Sequence, residues 1–160
     1  MRKINLNSSA LIYESIEELN DEDKKLILEA KNALKNAYAP YSKFNVGCAL
    51  LLENGKIITG NNQENAAYPS GMCAERVAIW KASSIYPDVQ VLKLAIAATS
   101  ENRTVDKPVS PCGACRQTLS EYEIKQKKPI KVLFTGEIGQ VVKTESVLSL
   151  LPFSFDSSYL

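Results

Sequence analysis

The sequence predicts an α/β fold in three layers, α/β/α, with helices on both faces of a central mixed sheet of about five strands. Helical and strand-like patterns alternate along the 160 residues. Residues 91–98 are almost wholly apolar, which is typical of a strand that is covered on both faces. Asn54-Gly55 separates two strand-like runs, and this dipeptide is a strong signal for a hairpin turn.

The individual elements follow from capping, spacing and breaker signals. The first helix is predicted to begin at Asn20 or Asp21, since both residue types favour the capping position, and to stop before Pro40. Two more helices are predicted at about 72–86, ending before Pro87, and at about 113–124. The remaining elements are strands at 44–52, 56–60, 91–98, 130–134 and 141–143, and a short helix near 146–150.

The domain organisation is predicted to be simple. Residues 21–160 suffice for one domain with its own core, and they follow an N-terminal arm at residues 1–20. The apolar residues of this arm could form a short strand or merely pack against the domain: Ile4, Leu6, Leu11 and Ile12.

The charge balance argues against a nucleic-acid partner. Nineteen Lys and Arg residues oppose 18 Asp and Glu residues, which leaves a formal net charge of +1. This balance provides no long-range field that would gather polyanions. One dense basic cluster follows a predicted helix end, and we interpret it as a solvated turn: Lys125, Lys127, Lys128 and Lys131.

Hydropathy gives no sign of a membrane partner. No apolar run approaches the length of a membrane span, and residues 1–12 lack the continuous apolar stretch of a secretory signal. We therefore expect a cytoplasmic protein.

The cysteine and histidine counts restrict the chemistry. The chain has four cysteines and no histidine. Cysteines in a chain without a secretory signal favour metal binding, catalysis or simple burial over a disulfide framework. Because histidine is absent, thiolates and carboxylates must hold any metal ion.

Three of the four cysteines predict a zinc site. Cys112 and Cys115 form a C-x-x-C pair, which by itself fits a redox site as well as a structural zinc site. The pair and Cys73 both fall at the starts of predicted helices, where thiolates are favoured. Three protein ligands leave one position of a tetrahedral zinc ion open to water, as in catalytic sites. Cys48 lies within a predicted strand, and we interpret it as a small buried side chain.

Two residues beside Cys73 are candidates for supporting roles. A carboxylate at Glu75, next to water on a metal ion, would act as a proton shuttle; alternatively, Glu75 only complements the helix dipole. Arg76 could donate hydrogen bonds to the ligand sulfurs and offset the charge of three thiolates. Alternatively, Arg76 is an ordinary surface arginine.

Several segments of the sequence resemble a known family. Residues 73–75 (CAE) and 111–115 (PCGAC) resemble the signature of zinc-dependent deaminases in its three-cysteine form. Three further segments, 38–44, 62–68 and 150–152, are similar to the small homotetrameric cytidine deaminases. The resemblance covers about residue 21 to the C terminus. Two departures are modest: Cys48 replaces a usual alanine and Gln63 a usual aliphatic residue.

The resemblance implies an activity and a set of partners. The implied reaction is the hydrolysis of cytidine and deoxycytidine to uridine and deoxyuridine, with release of ammonia. One Zn²⁺ per subunit would be held by Cys73, Cys112 and Cys115, with Glu75 as the catalytic residue. The implied substrate is a small-molecule nucleoside. The implied assembly is a homotetramer in which subunits share active sites.

The resemblance also implies substrate-binding roles. Asn62 and Glu64 would hold ribose hydroxyls, Phe44 would pack near the nucleoside, and the backbone N–H of Ala74 would hold the base carbonyl. In addition, Phe155 would cover the base in a neighbouring subunit and Tyr68 would lie near a subunit boundary. Without the family, Phe44 and Phe155 are ordinary core residues and Glu64 is a solvated strand end.

Two other classes of function share some of these features. A structural zinc or thiol-redox module would explain Cys112 and Cys115, but it would leave Cys73, Glu75 and the sugar-binding segment as coincidences. A deaminase acting on another aminated base or on polynucleotide cytosine would share the zinc site. A polynucleotide substrate calls for a basic, aromatic-lined channel, which the charge balance does not support.

Overall fold

Six strands form one mixed sheet in the computed structural model, which describes residues 1–160. The strand order across the sheet is β1-β6-β5-β4-β2-β3, and only β4 and β5 pair in parallel. The three α-helices are α1 (Asp21–Ala33), α2 (Ala74–Ile85) and α3 (Gly113–Gln126). The strands are β1 (Leu11–Tyr13), β2 (Phe44–Leu52), β3 (Ile57–Asn61), β4 (Val91–Ser100), β5 (Lys131–Thr135) and β6 (Val141–Thr144).

The predicted three-layer architecture is confirmed. On one face of the sheet, α1 packs Leu26 and Ile27 into a core with Leu133. On the other face, α2 and α3 contribute Ile79 and Leu119 to the larger core cluster. None of the helices combines the length and the apolar composition that a bilayer crossing requires.

The predicted number of about five strands is corrected to six. The additional strand, β1, comes from the predicted arm and pairs antiparallel with β6, with Ile12 opposite Val142. Three residues are too few for an alternating pattern to be read from the sequence. Ile4 and Leu6 lie outside any element and are exposed, whereas Leu19 is buried in the α1 core. The division between an arm at 1–20 and a domain at 21–160 stays a prediction.

Element boundaries differ from the predictions by a few residues. The helix predicted from residue 72 begins at Ala74, because Cys73 is still extended, with ψ at 151°. The helix α1 ends at Ala33, is followed by a 3₁₀ turn at Leu34–Asn36, and is capped at its start by Asn20. The predicted short helix near 146–150 is a 3₁₀ turn at Leu148–Leu150.

A glycine fixes how closely α2 approaches the sheet. A Cβ atom at Gly60 on β3 would lie 2.6 Å from the backbone of both Ala74 and Ala78. These two residues belong to the first turns of α2, so the absence of a side chain lets the helix start rest directly on the strand. The N-terminus of α2 is thereby held at a defined position above the sheet.

Asp23, in the first turn of α1, is the centre of a buried ion pair network. Its carboxyl group accepts hydrogen bonds from Lys93 on β4 and from Lys143 on β6, the latter at 2.6 Å. Burial alone would raise the pKa of Asp23, but the two ammonium groups outweigh it and hold the pKa below its usual value. The network joins α1 to two strands.

Asp23→Asn is expected to destabilise the protein by about 3 kcal/mol at pH 7, because it leaves two lysines without their shared carboxylate. The folded-state pKa of Asp23 is lowered. Its contribution is therefore complete above the unfolded-state pKa and is lost as the pH falls through the lower, folded-state value. An aspartate in the unfolded chain has a pKa of about 4, so the urea midpoints of the two proteins should differ by a constant amount between pH 5 and 8. The midpoints should converge as the pH falls from this value through the lower, folded-state pKa.

Glu22→Gln is the matched control. Glu22 pairs with the same Lys93 but is largely exposed, so its loss is expected to cost less than about 1 kcal/mol. Equal midpoints for Asp23→Asn and Glu22→Gln would contradict the assignment of the network to Asp23.

Candidate active site

Three cysteines meet where α2 and α3 begin. Cys73 is the N-cap residue of α2 and Cys112 that of α3, and neither side chain makes a capping hydrogen bond. Cys115 lies three residues further along α3, on the same side of the helix as Cys112. The three sulfur atoms lie within 4.8 Å of one another, and no disulfide joins them.

The sulfur geometry fits zinc. A tetrahedral ion with Zn–S bonds of about 2.3 Å holds its sulfur ligands about 3.8 Å apart. The Sγ atoms of Cys73 and Cys112 are 3.9 Å apart. Three cysteine sulfurs from the starts of two helices thus lie close enough for one zinc ion to draw them together, with a fourth position left for a non-protein ligand.

The surroundings of the cluster stabilise negative charge. The N-termini of α2 and α3 both point their unpaired backbone N–H groups at this region. The pKa of Cys73 is lowered to about 5, because the Cys115 thiol and the Arg76 guanidinium both donate hydrogen bonds to its sulfur. At neutral pH Cys73 is thus a thiolate, the form that binds metal ions.

Arg76 contacts the cluster directly. Its Nη2 atom lies 3.4 Å from the Sγ atom of Cys73, three residues earlier. The Nε atom of Arg76 is buried without a hydrogen-bond partner. A surface arginine would have no such contacts, and the predicted role of offsetting thiolate charge agrees with this position.

Glu75 is buried beside the same cluster. Its side chain is in the second position of α2, and the residue is only 4% exposed. Burial raises the pKa of Glu75, and the negative charge of Cys73 raises it further. A carboxyl group that is buried beside a metal site is placed to take up and release a proton there, which is what a proton shuttle requires.

Cys48 does not belong to the cluster. It is completely buried in the core between β2 and the α2–α3 layer. Burial raises the pKa of the Cys48 thiol well above its ordinary value. Both observations agree with its interpretation as a small apolar side chain.

The predicted ribose-binding residues lie on a segment that runs beside Cys73. Gln63 exchanges two backbone hydrogen bonds with Met72, at 2.9 and 2.8 Å, and so aligns the two stretches. Asn62 is braced by β2: its Oδ1 atom accepts from the backbone N–H of Val46, and its Nδ2 atom donates to the carbonyl oxygen of Phe44.

Only one of the two carboxylate oxygens of Glu64 accepts hydrogen bonds. Its Oε2 atom accepts hydrogen bonds from the backbone N–H groups of Tyr41 and Ser42, at 2.9 and 3.2 Å. Hydrogen bonds from the Ser42 hydroxyl and from these N–H groups lower the pKa of Glu64. Glu64 is therefore an oriented carboxylate rather than a freely solvated strand end.

The two predicted aromatic residues at subunit contacts lie on the surface of the single chain. Tyr68 is 92% exposed and Phe155 is 58% exposed. The ring of Phe155 stacks on Tyr159, with centroids 5.4 Å apart. Phe155 is thus not a core residue, and the substrate-binding roles of Tyr68, Phe155 and Phe44 stay predictions.

The comparisons with known proteins agree with this geometry. A family model described as the cytidine and deoxycytidylate deaminase zinc-binding region matches residues 20–128, which is more than half of the chain. The chain belongs to the cytidine and deoxycytidylate deaminase family. Membership of this deaminase family, together with the cysteine cluster, makes zinc the metal of the site.

Individual relatives are similar over most of the chain. A cytidine deaminase of Sporosarcina psychrophila is 45% identical over 138 residues, which are 86% of this chain and 93% of the relative. A cytidine deaminase of Halalkalibacterium halodurans is 41% identical over 130 residues, or 81% and 91% of the two chains. Among solved structures, the cytidine deaminase of Burkholderia pseudomallei matches with a TM-score of 0.71 and 36% identity, covering 86% of this chain and all of that one.

Proposed function

We propose that this chain is a zinc-dependent enzyme that hydrolyses cytidine and deoxycytidine to uridine and deoxyuridine, releasing ammonia. The observation that carries the proposal is the buried carboxyl of Glu75 beside three clustered sulfurs that leave a fourth zinc position open. The similarity to a cytidine deaminase at 45% identity supports the same conclusion.

In the proposed mechanism, Glu75 carries every proton. Zinc held by Cys73, Cys112 and Cys115 supplies the Lewis acidity that activates water near neutral pH. The Glu75 carboxylate accepts a proton from the attacking water and delivers it to N3 of the pyrimidine, which makes C4 electrophilic. After the water oxygen bonds to C4, Glu75 takes the remaining proton of that oxygen and passes it to the amino group. The C4–N bond then breaks as the C4=O bond forms, and ammonia is released.

Nearby groups are suited to hold the nucleoside. The backbone N–H of Ala74, at the first position of α2, has no intrahelical partner and can donate to the base carbonyl. Glu64, a carboxylate with one braced oxygen, can accept hydrogen bonds from ribose hydroxyls. We assign ribose binding to Glu64 on this basis, and we propose from the family resemblance that Asn62 also holds the ribose and that Phe44 packs alongside.

We also propose that the enzyme is a homotetramer with shared active sites. In the single chain Cys112 is exposed, so the zinc site opens to solvent. Catalysis of this kind gains from the exclusion of bulk water. The exposed Phe155 is suited to cover the base in a neighbouring subunit, and the exposed Tyr68 is suited to lie near a subunit boundary, as the resemblance implies.

The test is turnover of free cytidine by the zinc-loaded protein. We expect the ultraviolet band of cytidine to decline and ammonia to appear in equal amount, whereas a single-stranded oligonucleotide containing cytosine should stay unchanged. Light scattering on the same active fraction should give the mass of four chains. Zinc-loaded protein without turnover would indicate a structural zinc module, and turnover of the oligonucleotide would indicate a polynucleotide deaminase.

A further inference from the structure

Arg116, the residue after Cys115, joins two segments that are distant in the sequence. Its Nε atom donates to the carbonyl oxygen of Pro111 at 2.8 Å, and its Nη2 atom donates to the Ser110 hydroxyl at 3.1 Å. Its Nη1 atom donates to the carbonyl oxygen of Leu150 at 3.0 Å. One guanidinium thus holds the turn that leads into Cys112 and the chain just before its C-terminal residues.

The C-terminal segment, residues 150–160, has further anchors on α3. Gln117 donates from Nε2 to the carbonyl oxygen of Phe155 at 2.8 Å. Glu123, two turns beyond Arg116, is buried and accepts from the backbone N–H groups of Val147 and Leu148, at 2.8 and 3.2 Å. Glu123 therefore fixes the chain that enters the segment, and Gln117 fixes a point within it.

We propose that Arg116 is a positioning residue that couples the order of the C-terminal segment to the geometry of the cysteine cluster. The proposal rests on the proposed function, because it concerns the same zinc site. Movement of the segment would pull on Leu150, and Arg116 is the residue whose side chain hydrogen-bonds to both Leu150 and the turn before Cys112. Through this link, loosening of the segment loosens Cys112.

The chemistry of arginine suits this link. Its planar guanidinium presents donors in a rigid fork, so three acceptors in fixed positions can be satisfied together. A lysine has one compact ammonium group on a flexible stem and cannot reproduce the three-point geometry. Arg116→Lys therefore keeps the positive charge and removes the coupling.

The experiment compares Arg116→Lys, Gln117→Ala and the control Arg103→Lys, all loaded with zinc. Arg103 is exposed and makes no side-chain hydrogen bond. We measure zinc transfer to a chromogenic chelator, and chymotryptic cleavage after Phe153 or Phe155 located by mass spectrometry. Loss of a charged hydrogen-bond link should make both rates about tenfold faster in Arg116→Lys. Gln117→Ala, which contacts only the segment, should also speed zinc transfer through the intact Arg116.

The double variant Arg116→Lys/Gln117→Ala separates coupling from general loosening. If Arg116 is the link, Gln117→Ala adds nothing to zinc transfer in the Arg116→Lys background. Multiplying effects in the double variant would overturn the proposal, as would zinc transfer in Arg116→Lys equal to that of Arg103→Lys. Cytidine turnover by the wild type tests the proposed function separately, so failure of one leaves the other measurable.

Discussion

Glu75→Gln is expected to retain one zinc ion per chain and to lose cytidine turnover on the order of a hundredfold to ten-thousandfold or more. The amide keeps the shape of the side chain but cannot accept a proton from water or deliver one to the pyrimidine. The fold should tolerate the change, because burial already disfavours the charged form of this carboxyl and raises its pKa. Turnover under saturating cytidine, with zinc measured on the same sample, checks the prediction.

A control variant distinguishes this effect from a general loss of charge. Glu121 lies on α3, is exposed and makes no side-chain hydrogen bond, so Glu121→Gln removes an equal charge away from the cluster. It should leave turnover unchanged. Near-normal turnover by Glu75→Gln would show that another group moves the protons. Loss of zinc from that variant would show that Glu75 supports the metal instead.

Much of the fold could be predicted because its signals are local. Asn20 as a cap, the Asn54-Gly55 turn and the apolar run of β4 each occupy a short stretch of sequence, and each lies where the pattern indicates. Gly55 has the positive φ, 77°, that such a turn requires. The strand β1 is only one of two open alternatives in the sequence, because three residues carry no period and its place in the sheet depends on β6, more than 120 residues later.

Asp23 shows a different limit of sequence reasoning. An acidic residue in the first turn of a helix already has a sufficient local explanation, because it complements the helix dipole. The sequence pattern therefore gives no reason to expect that the Asp23 carboxylate has distant basic partners. Its actual partners, Lys93 and Lys143, are 70 and 120 residues away and are brought to it only by the packing of α1 across the sheet.

The active site was partly predictable for the same reason. The cysteines could be identified because sulfur at helix starts, with a C-x-x-C spacing, has few structural uses. Arg116 could not, since two of its acceptors are the carbonyl oxygens of Pro111 and Leu150, and every residue has a carbonyl. Backbone acceptors leave no mark on the sequence, so residues that position a site through them are found only from coordinates.

Cys112→Ser is expected to remove zinc and stability together. Loss of groups that merely support metal ligands typically costs ten- to a hundredfold in affinity, so loss of a ligand should cost about a hundredfold or more. The zinc ion joins the N-termini of α2 and α3, and its binding free energy is therefore part of the folding free energy. Zinc content after dialysis and the urea midpoint, both compared with wild type, measure the two losses.

Cys48→Ser makes the same chemical change outside the cluster. Cys48 is fully buried, so its serine variant places a hydroxyl in the core and should lower the urea midpoint while keeping stoichiometric zinc. Wild-type protein treated with a strong chelator should fall to the midpoint of Cys112→Ser, and the same treatment should not destabilise Cys112→Ser further. Stoichiometric zinc in Cys112→Ser would mean that Cys112 is not a ligand, because a site with two remaining sulfurs cannot hold the ion with the affinity of three.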